Sequence, residues 1–161
     1  QGVGAFESPG VGPLGWVDDA GVHLPPAQPA RPVPFSGLQL AELWPQVAIL
    51  HGCVEPPSAL IPALLSAGVR GLVFTGTGAG QLSALERCAL ENWPGPLPLM
   101  LRANRCGSGP VHRDEQFARL GLLPAGRLSP QKARVLLLLA LMAGLDRAEL
   151  GALISQREHV S

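Results

Sequence analysis

Several residue types are scarce in this chain of 161 residues, which has no tyrosine and a charged fraction of only 15%. Its twelve basic and twelve acidic residues cancel, and no stretch is rich in lysine or arginine. Nucleic acids and anionic membranes attract proteins that carry a basic surface, so neither is a predicted partner. The strongly apolar run at residues 136–142 is far too short to cross a bilayer and predicts a buried helix instead.

Cysteine and histidine are also few. The cysteines, Cys53, Cys88 and Cys106, are odd in number and show no Cys-x-x-Cys spacing, and no histidine pairs with an acidic residue or a cysteine at metal-ligand spacing. A disulfide framework and a zinc site are therefore not expected, and no metal or other cofactor is predicted. We interpret the cysteines as small, partly buried thiols.

Composition changes along the chain and divides it into three regions. In residues 1–24, apolar residues flank Asp18-Asp19-Ala20-Gly21, which predicts a β-hairpin with a short glycine-containing loop. Prolines crowd residues 25–46, which predicts an irregular or polyproline-like linker. Residues 47–161 hold regularly spaced apolar segments and predict the main domain.

Strand and helix signals alternate in this third region. Continuous apolar runs predict strands at residues 47–50, 71–74 and 98–101, and helical periodicity predicts helices at 58–67 and 82–92. A long helix is expected to begin with Ser129 as N-cap and Pro130 as first residue and to end at Gly144. A last helix follows with Asp146 as cap. The order predicts an α/β fold of three layers, a small parallel sheet with helices on both faces.

A glycine turn, Gly76-Thr77-Gly78-Ala79-Gly80, follows the second predicted strand. A dinucleotide fingerprint would need glycine where Gln81 stands, and the turn lacks the Lys-Ser/Thr pair of a phosphate-binding loop. A nucleotide site is therefore disfavoured. Two interpretations stay open: a plain tight turn, or a turn that brings backbone close to a neighbour and directs Gln81 out of the start of a helix.

No complete catalytic constellation is visible in the sequence. The Gly-x-Ser-x-Gly nucleophile elbow is missing. Asp114 and Glu115 could act as a general acid and base, although adjacent carboxylates are usually just solvated. Lys132 stands in the first turn of the long helix, where a solvated or capping role is the better interpretation. The residue chemistry alone therefore predicts no active site within this chain.

Five stretches, in order, resemble a known family: FESPGVGPLGWVDDAGVHL, VAILHG, ALLSAGVRGLVFTGTGAGQLS, LMLRANRCGSGPV and LGLLPAGRLSPQKARVLLLLAL. They are similar to the C-terminal domain and preceding hairpin of bacterial L-asparaginases and glutaminase-asparaginases, closest to the type II members. The resemblance covers nearly the whole chain. It implies about four parallel strands, residues 1–24 as the end of an N-terminal catalytic domain, 25–46 as a linker and 47–161 as the C-terminal domain.

The resemblance implies that the complete protein hydrolyses L-asparagine, and glutamine less efficiently, to the acid and ammonia by a threonine nucleophile. The family's catalytic Thr-Tyr-Lys and Thr-Asp-Lys groups lie in the N-terminal domain. Thr75 and Thr77 are the only threonines here and match neither group. No catalytic residue is therefore expected in this chain, and the chain alone should be inactive.

In homotetramers of this family, each active site lies between the N-terminal domain of one subunit and the C-terminal domain of its intimate-dimer partner. The asparagine that ends the family's glycine turn corresponds to Gln81, which is one methylene longer and is expected to bind the partner subunit's substrate. Counting back from Leu120-Gly121 places Asp114 at the family's glutamate, near the substrate's amino group, with Glu115 beside it. Because this loop is shorter than in the family, the choice between Asp114 and Glu115 stays open.

Two other functional classes also stay open. One is an isolated interaction module whose glycine turn binds a small anion; the other is a tRNA-dependent amidotransferase subunit of asparaginase-like fold, which the neutral charge disfavours. The unpaired thiols favour a reducing, cytoplasmic compartment. Type II relatives are often exported, so the periplasm is the alternative.

Overall fold

The computed structural model describes residues 15–24, 35–39, 43–57, 59–106 and 109–158. Within this part of the chain, the hairpin belongs to one compact unit and the residues from Gly37 onward belong to another. Most of the predicted proline-rich linker, residues 25–34 and 40–42, lies outside the described residues.

The first unit contains the predicted hairpin. Strands β1 (Trp16–Asp18) and β2 (Gly21–His23) pair antiparallel, with Val17 opposite Val22. Gly21 closes the connection at φ +134°, a value that favours glycine. Asp18 Oδ1 lies 2.9 Å from His23 Nε2 and accepts a hydrogen bond of 2.8 Å from the Ala20 N–H. Both hydrogen bonds lower the pKa of Asp18, and the one from His23 has the larger effect.

The second unit is built on a four-stranded parallel sheet in the order β3-β4-β5-β6, which confirms the predicted fold class. The strands are β3 (Val47–His51), β4 (Gly71–Gly76), β5 (Leu99–Asn104) and β6 (Leu122–Pro124). The predicted ends at residues 74 and 101 were too early. β4 continues through the buried Thr75, and β5 continues through the buried Arg102, so each of these strands contains a buried polar residue.

The described residues form five helices beside the sheet: α1 (Leu60–Ser66), α2 (Ala84–Glu91), α3 (Glu115–Arg119), α4 (Pro130–Met142) and α5 (Arg147–Glu158). The predicted limits of α4 are confirmed, because Ser129 Oγ accepts from the Lys132 N–H at 3.3 Å and Gly144 follows the helix at φ +71°. Asp146 and Glu149 cap α5 reciprocally. The prediction that α2 begins at Leu82 was wrong, since its first residue is Ala84.

Helices cover both faces of the sheet. Helix α4 packs on one face, where Leu137 lies against Gly71 so closely that a Cβ on Gly71 would meet Leu137 Cδ2 at 2.9 Å. The other face carries a cluster of buried side chains from the strands and from α1, α2 and α3, including Leu72, Met100 and Phe117. Each such side chain stabilises the fold by roughly 1.5–3 kcal/mol relative to an exposed position. The packed sheet fixes where the loops at its carboxyl edge begin.

Candidate functional site

Three loops leave the sheet at the same edge. Because β3, β4 and β5 are parallel, their carboxyl ends lie side by side, and such edges are where ligands bind in open α/β sheets. The loop after β4 contains the glycine turn and Gln81, and the loop after β5 leads to Asp114 and Glu115. The structure thus places Gln81 on a loop at this edge, Asp114 at the end of the loop that leaves β5, and Glu115 as the first residue of α3.

The glycine turn folds back on itself. Gln81 pairs with Thr77 in a short antiparallel bridge, and its N–H donates to the Thr77 carbonyl at 2.9 Å. Gly78 and Gly80 have φ of +53° and +76°, and a Cβ on Gly76 would collide with the backbone of Gly80 and Gln81. Glycine is therefore needed for the shape of the turn itself. The Gln81 side chain is exposed, and it precedes α2 instead of opening it.

The start of α2 is already occupied by the protein's own side chains. Ser83 Oγ accepts from the Glu86 N–H at 3.2 Å, and Glu86 Oε2 accepts from the Ser83 N–H at 2.8 Å. Glu86 is 6% exposed, so its carboxylate is held within the turn. A phosphate would need these N–H donors and would meet a carboxylate there, which argues against a nucleotide or small-anion site at the glycine turn.

The two predicted carboxylates differ in how they are held. Asp114 is the N-cap of α3, where its Oδ1 accepts from the Gln116 N–H at 2.8 Å, and the residue is half-buried. The Glu115 side chain is 74% exposed and lies 3.3 Å from Arg113 Nε, which is equally exposed. An exposed ion pair of this kind fixes a side chain weakly. Asp114 is therefore oriented by the fold, whereas Glu115 projects into solvent.

A buried arginine connects the two loops. Arg102 on β5 is 1% exposed, and its Nη1 donates to the Gly80 carbonyl at 3.1 Å and lies 3.4 Å from the Ala79 carbonyl. Its Nη2 donates to the His112 carbonyl at 2.8 Å. The glycine turn and the segment before Asp114 are thus joined through one guanidinium.

The surroundings of Arg102 are partly apolar and partly charged. Its Cζ lies 4.1 Å from the centre of the Phe117 ring, a cation–π contact. Burial lowers the pKa of Arg102, and the negative charge of Asp114 opposes that shift. Sequence reasoning missed this residue, although an arginine directly after the apolar run of the third predicted strand was the available signal.

A cavity of about 250 Å³ lies at the same edge of the sheet. Basic side chains line it, including His51, Arg105 and Arg127, together with Ser129 at the start of α4. Arg105 Nη1 donates to the Gly52 carbonyl at 2.6 Å, so this guanidinium already has a structural partner. Gln81, Asp114 and Glu115 are not among the residues that line the cavity.

Other candidate chemistry is limited in the described residues. No group of three or more histidine, cysteine, aspartate or glutamate side chains comes together there as a metal site. None of the described helices has the length and apolarity that a membrane span requires. Lys132 is exposed on α4. Cys53, Cys88 and Cys106 are all exposed, so their interpretation as partly buried thiols was wrong.

Comparison with known proteins identifies the family. Residues 46–154 match the family model of the Glutaminase/Asparaginase C-terminal domain. The chain is 34% identical over 144 residues to a probable periplasmic L-asparaginase of Haemophilus influenzae, a match that covers 86% of this chain and 41% of the relative. It is 31% identical over 161 residues to L-asparaginase 2 of Escherichia coli, which covers 96% of this chain and 45% of the relative.

A solved structure agrees with these matches. The chain superimposes on a probable cytoplasmic L-asparaginase from Campylobacter jejuni with a TM-score of 0.74 and 29% identity, covering 96% of this chain and 50% of that one. The chain therefore spans half or less of the length of these relatives. On this sequence and structural evidence, the chain belongs to the glutaminase/asparaginase C-terminal domain family.

Proposed function

We propose that this chain is the C-terminal part of an L-asparaginase that converts L-asparagine to L-aspartate and ammonia, and that it completes the substrate site of a neighbouring subunit. The observation that carries the proposal is the shared position of Gln81 and Asp114, on two loops at one sheet edge that are joined through Arg102. Gln81 is exposed on its loop, and Asp114 is half-buried at the end of the other.

The proposal divides the chemistry between two domains. The threonine nucleophile lies outside this chain, in the N-terminal catalytic domain. Thr75 Oγ1 does share a hydrogen bond of 3.0 Å with His51 Nδ1, a pairing that can activate a hydroxyl. Thr75 is fully buried, however, so no substrate reaches it. Thr77 is exposed in the glycine turn, where its carbonyl accepts a hydrogen bond from the Gln81 N–H. We expect this chain alone to be inactive.

In this proposal the Gln81 and Asp114 side chains recognise different parts of asparagine. The Gln81 amide can donate and accept hydrogen bonds, as the amide and carboxylate of the substrate require. The Asp114 carboxylate faces the substrate's α-ammonium group. We choose Asp114 over Glu115 because its cap bond orients it, whereas Glu115 is held only by an exposed ion pair.

The remaining parts of the chain fit the same assignment. Residues 1–24 would form the end of the catalytic domain and residues 47–161 the C-terminal domain. Residues 25–46 would be the linker between the two. In support, the hairpin exposes the cross-strand pair Val17 and Val22 at 75% and 69%, an apolar surface suited to packing on a larger body. The complete protein would be a homotetramer of intimate dimers. Three exposed thiols favour a reducing, cytoplasmic compartment.

Single substitutions in the complete enzyme test the proposal. Gln81→Ala and Asp114→Ala are each expected to raise the KM for asparagine by about 10-fold or more, since a hydrogen bond to a charged group contributes about 1.5–3 kcal/mol. Gln81→Asn, which keeps the amide, should retain most of the affinity. Asp146→Ala is the matched control, because Asp146 caps α5 as Asp114 caps α3.

The controls decide between a substrate contact and a structural effect. Gln39→Ala removes an exposed glutamine that belongs to neither loop and should leave KM unchanged. If Gln81→Ala and Asp114→Ala changed neither kcat nor KM, the contribution of this chain to a neighbouring substrate site would be refuted. The same KM increase in Asp146→Ala would show that loss of a helix cap, and not loss of a substrate contact, was responsible.

A further inference from the structure

We infer that Arg102 is a positioning residue that holds the Gln81 turn and the Asp114 loop at a fixed separation. The inference rests on the proposed function, in which Gln81 and Asp114 contact one substrate molecule. Arg102 itself reaches no substrate, since it is 1% exposed and lies within the sheet. It acts through the two backbone segments to which it donates hydrogen bonds.

The contacts fall next to the side chains that they position. Nη1 donates to the carbonyl of Gly80, the residue before Gln81, and Nη2 donates to the carbonyl of His112, two residues before Asp114. Guanidinium is planar and rigid, so the distance between its two terminal nitrogens sets the distance between the two carbonyls. A single group therefore fixes both loops at once.

Two further contacts reinforce the same link. Phe117 of α3 lies under the guanidinium at 4.1 Å, which ties the helix capped by Asp114 to the arginine. Val111 packs against Gly80, because a Cβ on Gly80 would meet Val111 Cγ1 at 3.0 Å. The glycine turn and the segment before Asp114 are therefore joined by a polar contact and by an apolar one.

The stability of the fold does not explain why a charged residue, Arg102, is buried at this position. Taking a guanidinium out of water costs free energy, and Arg102 has carbonyl partners but no carboxylate within hydrogen-bonding distance among the described residues. Its Nε has no hydrogen-bond partner in that part of the chain. Its neighbours on the same face, Met100 and Phe117, are apolar, so an apolar residue would suit the core. Linking two substrate-binding loops accounts for the arginine.

The test compares Arg102→Lys with Met100→Ala in the complete enzyme. Lysine keeps the positive charge, but its single ammonium cannot bridge both carbonyls as the planar fork does. Arg102→Lys is expected to raise the KM for asparagine by about 10-fold, since a misplacement of about 1 Å at a site can cost about 100-fold. Met100→Ala, buried on the same strand and face, should lower the melting temperature and leave KM unchanged.

A coupling measurement separates positioning from general damage. In the Arg102→Lys background, Gln81→Ala should raise KM by less than it does in the wild type, because the side chain is already misplaced. Suppose that Gln81→Ala raises KM strongly but the KM of Arg102→Lys stays within twofold of the wild type. This result would overturn the inference and leave the proposed function standing.

Amide hydrogen exchange gives a readout that needs no activity. Arg102→Lys should speed exchange in both segments, 77–82 and 112–116, and leave β3 unchanged. If both segments respond while Gln81→Ala and Asp114→Ala leave KM unchanged, the link by Arg102 stands and the proposed function fails. If neither segment or only one responds, the inference is refuted. Should Arg102→Lys not fold, Phe117→Leu, which removes the ring under the guanidinium, is expected to give the same two-segment response.

Discussion

Replacing Gly80 with alanine is expected to destabilise the chain more than the same change at Gly78, two residues away in the same turn. Both glycines have positive φ, +76° at Gly80 and +53° at Gly78. They differ in their surroundings, because a Cβ on Gly80 would lie 3.0 and 3.1 Å from the two methyl groups of Val111, whereas a Cβ on Gly78 would meet nothing within 4 Å. Comparing the two substitutions therefore separates the cost of backbone strain from the cost of the contact with Val111.

The magnitudes follow from two unfavourable effects and one favourable one. A left-handed conformation costs an alanine about 1–2 kcal/mol, and the lower entropy of the unfolded chain returns about 0.4–1 kcal/mol. Gly78→Ala should therefore lower the free energy of unfolding by about 0–1.6 kcal/mol. Overpacking against a buried side chain adds about 1–3 kcal/mol, so Gly80→Ala should lower the free energy of unfolding by roughly 1–4.6 kcal/mol, which is about 1–3 kcal/mol more than Gly78→Ala.

Urea unfolding of the chain, followed by circular dichroism, measures both values. The double substitution Gly80→Ala with Val111→Ala identifies the source of the difference. Val111 is fully buried, so Val111→Ala alone is destabilising. The free energy of unfolding lost in the double variant should be smaller than the sum of the losses in the two single variants. Equal destabilisation by Gly80→Ala and Gly78→Ala would refute the packing of the glycine turn on Val111.

Two more expectations concern the core and the hairpin. Leu137→Ala should lower the free energy of unfolding by about 2–5 kcal/mol, because Leu137 is fully buried against Gly71; a loss below about 1 kcal/mol would contradict this packing. The pKa of Asp18, measured by NMR titration, should lie below 3.8 and rise in His23→Ala. The charged carboxylate then stabilises the hairpin above pH 3.8, and that contribution is lost as the pH falls through the lower folded value. A pKa of 3.8 or above would contradict the hydrogen bond.

The parts of the fold that the sequence predicted are those with local causes. Ser129, Pro130 and Gly144 mark the limits of α4 because caps act within one turn of the chain. Helix α3, of five residues, is too short to show helical periodicity, and it was missed. The ends of β4 and β5 were placed too early because Thr75 and Arg102 are polar residues that only the folded environment buries.

The candidate site was predicted in a different way. Gln81, Asp114 and Glu115 were found by resemblance to a family, since an exposed glutamine and two adjacent acidic residues carry no chemical signature of their own. Neither their arrangement on one sheet edge nor the link through Arg102 could be obtained that way. Both depend on contacts between segments that are about 20 residues apart in sequence and that meet only when β4 and β5 pair.

Mixing two impaired forms of the complete enzyme, assayed at an asparagine concentration well below the wild-type KM, tests the central claim most directly. One form carries a catalytic domain without its threonine nucleophile, and the other carries Gln81→Ala with Asp114→Ala in this chain. If this chain serves the neighbouring subunit, each mixed intimate dimer contains one intact site, and reassembly of an equal mixture should restore about a quarter of the wild-type activity. Activity no greater than the mean of the two parents would contradict the account, because the substitutions would then act within their own subunit.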